Sequence, residues 1–157
     1  MKTCYYYQTF VGLDKIKSNL NSTDVIIVSS LHFGEKQYQN NIKSYINLND
    51  NSPDDKIFSK MWKETGDLSI SKTIMIMMGG AGGAYNYFFK NFDECYDLLV
   101  DFLKKRPFIK GIDLDIEENV IIDNVKKLIN KLVNDFGTDF IITMAPVGNS
   151  LQNDSPG

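Results

Sequence analysis

The chain has 157 residues, about one domain's length, and its 43% hydrophobic, 12% aromatic and 24% charged side chains exclude a disordered polymer. Seventeen basic against 20 acidic side chains leave a formal charge of -3, so no global field exists to hold nucleic acid. No apolar run approaches the roughly 18 residues of a membrane span, and residues 1–10 carry tyrosines and Gln8 where a secretion signal needs an apolar stretch, so neither membrane nor leader is expected and the compartment stays open.

Residues 3–10 form a β-branched and aromatic run that reads as a first strand, followed by Gly12 and then Leu13, Ile16 and Leu20 at helical spacing. Residues 24–33 (DVIIVSSLHF) lack polar alternation in their first half, as a parallel strand covered on both faces does, and Gly34 is expected to end them. Residues 35–53 are a polar, Asn-rich excursion with one strand-like piece at 42–48. Ser52, Pro53, Asp54 and Asp55 then suit the start of a helix that runs through Glu64 and stops at Gly66, with Trp62 on its packed face beside Ile57, Phe58 and Met61. Residues 72–78 (KTIMIMM) are a third buried strand running into Gly79-Gly80-Ala81-Gly82-Gly83, where backbone can approach a ligand closely. Tyr85, Phe88 and Phe89 either cover the next helix or, in the case of Tyr85 and Tyr87, stack on a ligand ring.

Asn91 with Glu94 three residues on reads as a capping box for a helix whose apolar face is Cys95, Leu98, Leu99, Phe102 and Leu103, closed by Lys104 to Pro107. Residues 108–117 hold the fourth strand. Residues 118–136 place Ile121, Val125, Leu128, Ile129, Leu132 and Phe136 at helical spacing before Gly137, and residues 140–145 (FIITMA) form a fifth strand. Strands and helices alternate, which predicts an α/β fold with a parallel sheet, either doubly wound or part of an eight-stranded barrel. Cys4 and Cys95 are expected as core thiols, and one histidine, His32, excludes a three-histidine zinc site.

The chemistry is concentrated in Lys110-Gly111-Ile112-Asp113-Leu114-Asp115-Ile116-Glu117. With a strand period of two, Asp113, Asp115 and Glu117 share one face and Ile112, Leu114 and Ile116 the other. Carboxyls at this spacing and partly buried repel one another, which raises at least one pKa and leaves a proton donor beside an anion near neutral pH. The same acids could instead line a solvated edge strand or hold a divalent cation, although Glu118 and Asn124 do not fit an EF-hand. Gly80-x-Gly82 followed by Tyr85 is a poor match to a nucleotide-binding loop.

Residues 111–117 resemble the DxxDxDxE signature of glycoside hydrolase family 18, the chitinases and their relatives, and residues 72–80 resemble its KxxxSxGG signature. Lys110 stands at the first Asp and Met77 at the Ser. Tyr6-Tyr7-Gln8, Leu48-Asn49-Asp50 with Pro53-Asp54-Asp55, and Thr143-Met144-Ala145-Pro146 fall in the family's order, so the resemblance covers the whole chain. It implies a (β/α)8 TIM barrel of which about the first five βα units are present, residues 1–157 being one incomplete catalytic domain without strands 6 to 8. It also implies substrate-assisted, retaining hydrolysis of β-1,4 bonds in chitin and other N-acetylglucosamine glycans, without cofactor or metal. Glu117 would be the acid and base, Asp115 would orient the substrate's 2-acetamido group, and Asp113 would share its proton. Tyr7, Gly79, Gly80, Tyr85 and Met144 would bind substrate. The alternative is a non-catalytic chitooligosaccharide-binding protein of chitinase-like lectin type. Open sheet edges at the first and fifth strands predict self-association.

Overall fold

The computed structural model describes residues 1–8, 12–39 and 41–145. Strand β1 (Cys4–Tyr7) is followed by a 3₁₀ turn (Leu13–Ile16), helix α1 (Lys17–Leu20) and strand β2 (Val25–Tyr38), on which β3 (Asn41–Leu48) folds back. A 3₁₀ turn (Lys56–Phe58) and α2 (Ser59–Leu68) lead to β4 (Thr73–Gly79), then α3 (Tyr85–Lys90), α4 (Phe92–Lys104), β5 (Ile109–Asp115), α5 (Ile122–Phe136) and β6 (Ile141–Met144). The parallel order is β1-β2-β4-β5-β6, with β3 antiparallel to β2 outside that path. Thr9, Phe10 and Pro146, assigned above to strands or motifs, lie outside the described residues.

Strand alternation sends Ile26, Val28, Ile74, Ile76, Met78, Ile112 and Leu114 to one side, where they are buried with Phe88, Leu99, Phe102, Leu128 and Leu132 from the helices. The opposite side carries a separate apolar cluster of Val25, Ile27, Met75 and Met77 that includes no helical residue. Among the described residues, helices therefore cover one face alone, as in a barrel and unlike a doubly wound sheet. The sheet is also curled. Neighbouring strands lie about 4.8 Å apart, so three steps from β1 to β5 would span roughly 14 Å in a flat sheet. Yet the Tyr6 hydroxyl on β1 donates to Asp113 Oδ2 on β5 at 2.9 Å, which only a sheet bent towards that face allows. The architecture is a parallel-sheet half-barrel with alternating strands and helices.

Several elements depart from their sequence expectations for identifiable reasons. Gly34 does not end β2, because the strand continues to Tyr38 in an antiparallel ladder with β3, and the absent Cβ at Gly34 makes room for the Tyr45 ring opposite it. Gly66 does not stop α2, which runs on to Leu68 while Gly66 faces the Phe108 ring. Tyr85 to Lys90 is itself a helix, and it also covers the next one, Phe88 and Phe89 packing on the Phe92 ring of α4 at 5.6 and 6.4 Å between ring centres. Asn91 sits at the start of α4 without a side-chain cap bond, its Nδ2 donating instead to the Tyr87 carbonyl. Glu94 is drawn away from the expected capping box by Ser44 of β3, whose backbone N–H and hydroxyl donate to it at 3.1 and 2.7 Å. Ile121 precedes α5 and is 69% exposed, and Cys4 is exposed on the edge strand β1, whereas Cys95 is buried and its thiol is pushed up to about 11 by burial.

Asp55 caps the 3₁₀ turn, its carboxylate accepting from the Ile57 N–H at 3.0 Å. Trp62 packs in the structure behind it. The Arg106 guanidinium lies 4.4 Å from the ring centres of both Trp62 and Phe102 and donates to the Pro53 carbonyl and to Asp54, while the Trp62 indole N–H also donates to the Pro53 carbonyl. A cation held between two rings welds the excursion to α4.

Gly111 sets the join between β5 and β6, since a Cβ there would collide with the Ile141 carbonyl. Gly111→Ala is expected to lower the unfolding free energy by about 1 to 3 kcal/mol, the usual range for overpacking, read as a lower urea midpoint. An unchanged midpoint would show that β6 does not seat here.

Candidate active site

The alternation that makes β5 a strand with one apolar face also lifts its acids onto the inner face. Asp113 pairs in register with Met77 of β4 and Thr143 of β6, and Asp115 pairs with Gly79. Asp113 is 2% exposed, yet both of its oxygens are satisfied: Oδ2 accepts from the Tyr6 hydroxyl, and Oδ1 from the Thr143 hydroxyl. Burial, and then the hydrogen bond to Asp113, push the Tyr6 hydroxyl up to about 12, so it stays protonated as a donor through the neutral range. Asp115, one inward position further on, is half-buried at the strand's end. Its carboxyl is raised from the ordinary value, first by desolvation and then by the negative charges of Glu117 and Asp113.

The glycine loop fits around this acid. Gly79 and Gly80 have φ of +97° and +85°, a region that favours glycine, and a Cβ at Gly79 would collide with the Asp115 carbonyl and the Tyr85 ring. The Gly80 N–H donates to the Asp115 carbonyl at 2.8 Å, and a Cβ at Gly80 would stand 3.2 Å from Asp115 Oδ2. Glu117 lies beyond the end of β5 rather than in it, with Ile116 buried and the Glu117 side chain exposed, so alternation outlasts the ladder by two residues. Since β5 is flanked by β4 and β6, the solvated edge-strand reading of its acids is overturned. Among the described residues, no group of three His, Cys, Asp or Glu side chains converges as a metal site.

The expected substrate contacts divide. Gly79 and Gly80 adjoin Asp115, as described. Tyr7 points the other way, into the core under the helices at 3% exposure, with its hydroxyl accepting from the Gly12 N–H at 3.2 Å. Met144 pairs with Leu114 and so shares the helix-side face, exposed because β6 is an edge. Tyr85 is fully buried and donates its hydroxyl to the Met78 carbonyl at 2.7 Å, which leaves no ring face for a ligand. Tyr87 is held against β3, its hydroxyl 3.1 Å from Ser44 Oγ. Two of these are parity errors of one residue: Tyr6 and Thr143 occupy the inner face where Tyr7 and Met144 were expected. The polar Thr143 in an otherwise apolar run was the available signal for β6, whereas three consecutive tyrosines gave none for β1. Glu118 was also missed. Its carboxylate accepts from the backbone N–H groups of Tyr85 and Asn86 at 2.7 and 3.0 Å.

The chain matches no protein-family model and no curated protein. Solved structures do match. A fungal endo-β-N-acetylglucosaminidase from glycosyl hydrolase family 18 is 28% identical with a TM-score of 0.73, covering 99% of this chain and 57% of that one. A family 18 chitinase from Pseudoalteromonas aurantia is 20% identical with a TM-score of 0.57, covering 93% of this chain and 56% of that one. A putative chitinase A from Streptomyces coelicolor is 19% identical with a TM-score of 0.57, covering 92% of this chain and 50% of that one. The latter two show the fold. Together the matches show a partial TIM-barrel fold similar to that of family 18 glycosyl hydrolase structures, and the chain spans about half the length of the structures it matches.

The raised Asp115 carboxyl has a stability consequence whose sign is fixed. An acid whose folded pKa lies above its unfolded value penalises the folded state once ionised, and the penalty disappears as pH falls through the folded value towards the ordinary 3.8. Asp115→Asn is therefore expected to melt above the parent at pH 7 and to lose that advantage in acid. A variant that melts below the parent at pH 7 and equals it in acid would reverse the assignment.

Proposed function

We propose that this chain carries the catalytic face of a glycoside hydrolase acting on β-1,4-linked N-acetylglucosamine glycans by substrate-assisted, retaining chemistry. The observation that carries the reading is the line of Asp113, Asp115 and Glu117, graded from fully buried to exposed along β5 and the two residues that follow it, at the carboxyl end of a parallel sheet. The match to a fungal endo-β-N-acetylglucosaminidase supports the substrate class, because that enzyme's name specifies the same sugar.

The roles follow from this gradient. Glu117 reaches solvent, where a glycosidic oxygen can be presented, and serves as general acid and then base. Asp115 is held where ionisation is costly, so a positive charge forming beside it is stabilised more than in water. In this reaction that charge is the oxazolinium produced when the substrate's own acetamido oxygen attacks the anomeric carbon, with the leaving-group oxygen taking its proton from Glu117. Water then opens the oxazolinium and returns a proton to Glu117. Asp113, fastened by Tyr6 and Thr143, stands one inward position behind Asp115 and, after burial and Glu117, adds to what holds the Asp115 carboxyl above its ordinary value.

Hydrolysis of a fluorogenic chitobioside is the direct test. Turnover is expected once the barrel is complete, and in that protein Glu117→Gln is expected to reduce kcat by about 10²- to 10⁴-fold, the usual contribution of general acid–base catalysis. Equal rates for the parent and Glu117→Gln would overturn the assignment. Binding of chitooligosaccharide without product would instead establish the lectin-like alternative.

A further inference from the structure

We infer that Glu118 is the positioning residue for Glu117, holding the segment after β5 against the glycine loop; this rests on the reading of Glu117 as the acid. Glu117 has left the β-ladder, which ends at Asp115, so the strand's own hydrogen bonds do not fix it. The chain is instead fastened on both sides of Glu117. Before it, the Asp115 carbonyl accepts from the Gly80 N–H at 2.8 Å. After it, the Glu118 carboxylate accepts from the Tyr85 N–H at 2.7 Å and the Asn86 N–H at 3.0 Å. Between the two, buried Ile116 anchors the backbone in the apolar layer.

The receiving surface is rigid. Tyr85, whose N–H meets Glu118, is fully buried and donates its hydroxyl to the Met78 carbonyl at the end of β4. Its ring closes over Gly79, where a Cβ would strike it. The two fastenings thus join residues 115 and 118 to the two ends of one glycine loop, and Glu117 is the exposed side chain between them. A bidentate carboxylate bridging two adjacent N–H groups also sets orientation, which a single bond does not. An acid must meet the leaving oxygen within hydrogen-bond reach, so small displacements are costly to the rate.

Glu118→Ala removes both bonds, and Glu118→Gln retains one acceptor oxygen and therefore one bond. In the 157-residue chain, amide exchange and ¹⁵N relaxation read the fastening without any turnover. Glu118→Ala is expected to cost the Tyr85 and Asn86 amides about tenfold or more of their protection and to lower the order of the Glu117 amide, with the β4 amides unchanged and Glu118→Gln intermediate. With the fluorogenic chitobioside, kcat is expected to fall about 10- to 100-fold with KM nearly unchanged, again graded Ala below Gln below parent. Undiminished order at Glu117 in a folded Glu118→Ala protein would overturn the inference, as would a kcat loss that only tracks the folded fraction. Wild-type turnover in Glu117→Gln would instead remove the acid assignment while the exchange result still decides the role of Glu118.

Discussion

Asp113 is the point on which the half-barrel turns. A carboxyl this deeply buried is tolerated only with its oxygens satisfied, and the two hydroxyls that satisfy them come from the strands at opposite edges of the parallel path, Tyr6 on β1 and Thr143 on β6. The first of these contacts also goes with a bent sheet, because Tyr6 reaches β5 only if β1 swings towards it. Polar satisfaction and curvature are thus one constraint. The apolar layer of Val25, Ile27, Met75 and Met77 beneath the acids completes it by withholding solvent from that side.

The electrostatic gradient along β5 follows. Exposure rises from buried Asp113 through half-buried Asp115 to exposed Glu117, and Asp115 both feels its neighbours' charges and retains access to the open side. Two glycines with positive φ let the next loop close on Asp115 from above without a side chain intruding. The acids and the glycine loop are therefore brought together by one strand's alternation plus backbone that glycine lets come close.

Much of this was legible in the sequence where local rules operate. Alternating Ile, Asp, Leu and Asp settles strand identity and facing, and the run from Lys72 into five nearly side-chain-free residues marks strand and loop. What was illegible is long-range. Tyr5, Tyr6 and Tyr7 are alike in chemistry, and only the pairing of Tyr6 with Ile27 selects the inner one. Glu94 looks like a capping residue until Ser44, fifty positions away, supplies better donors. Gly34 looks like a stop until β3 returns with Tyr45, and Glu118 looks like surplus charge until the head of α3 is folded against it. In each case a tertiary partner outweighed a local preference.

The measurement that bears most directly on the account is a ¹³C NMR titration of the side-chain carboxyls of Asp113, Asp115 and Glu117 in the parent and in Glu117→Gln. Coupled acids on one strand predict that Asp115 titrates above the ordinary 3.8 and moves back down when the Glu117 charge is removed. An Asp115 midpoint at or below 3.8 that ignores the substitution would contradict it, because the three carboxyls would then be neighbours in sequence without acting as one site.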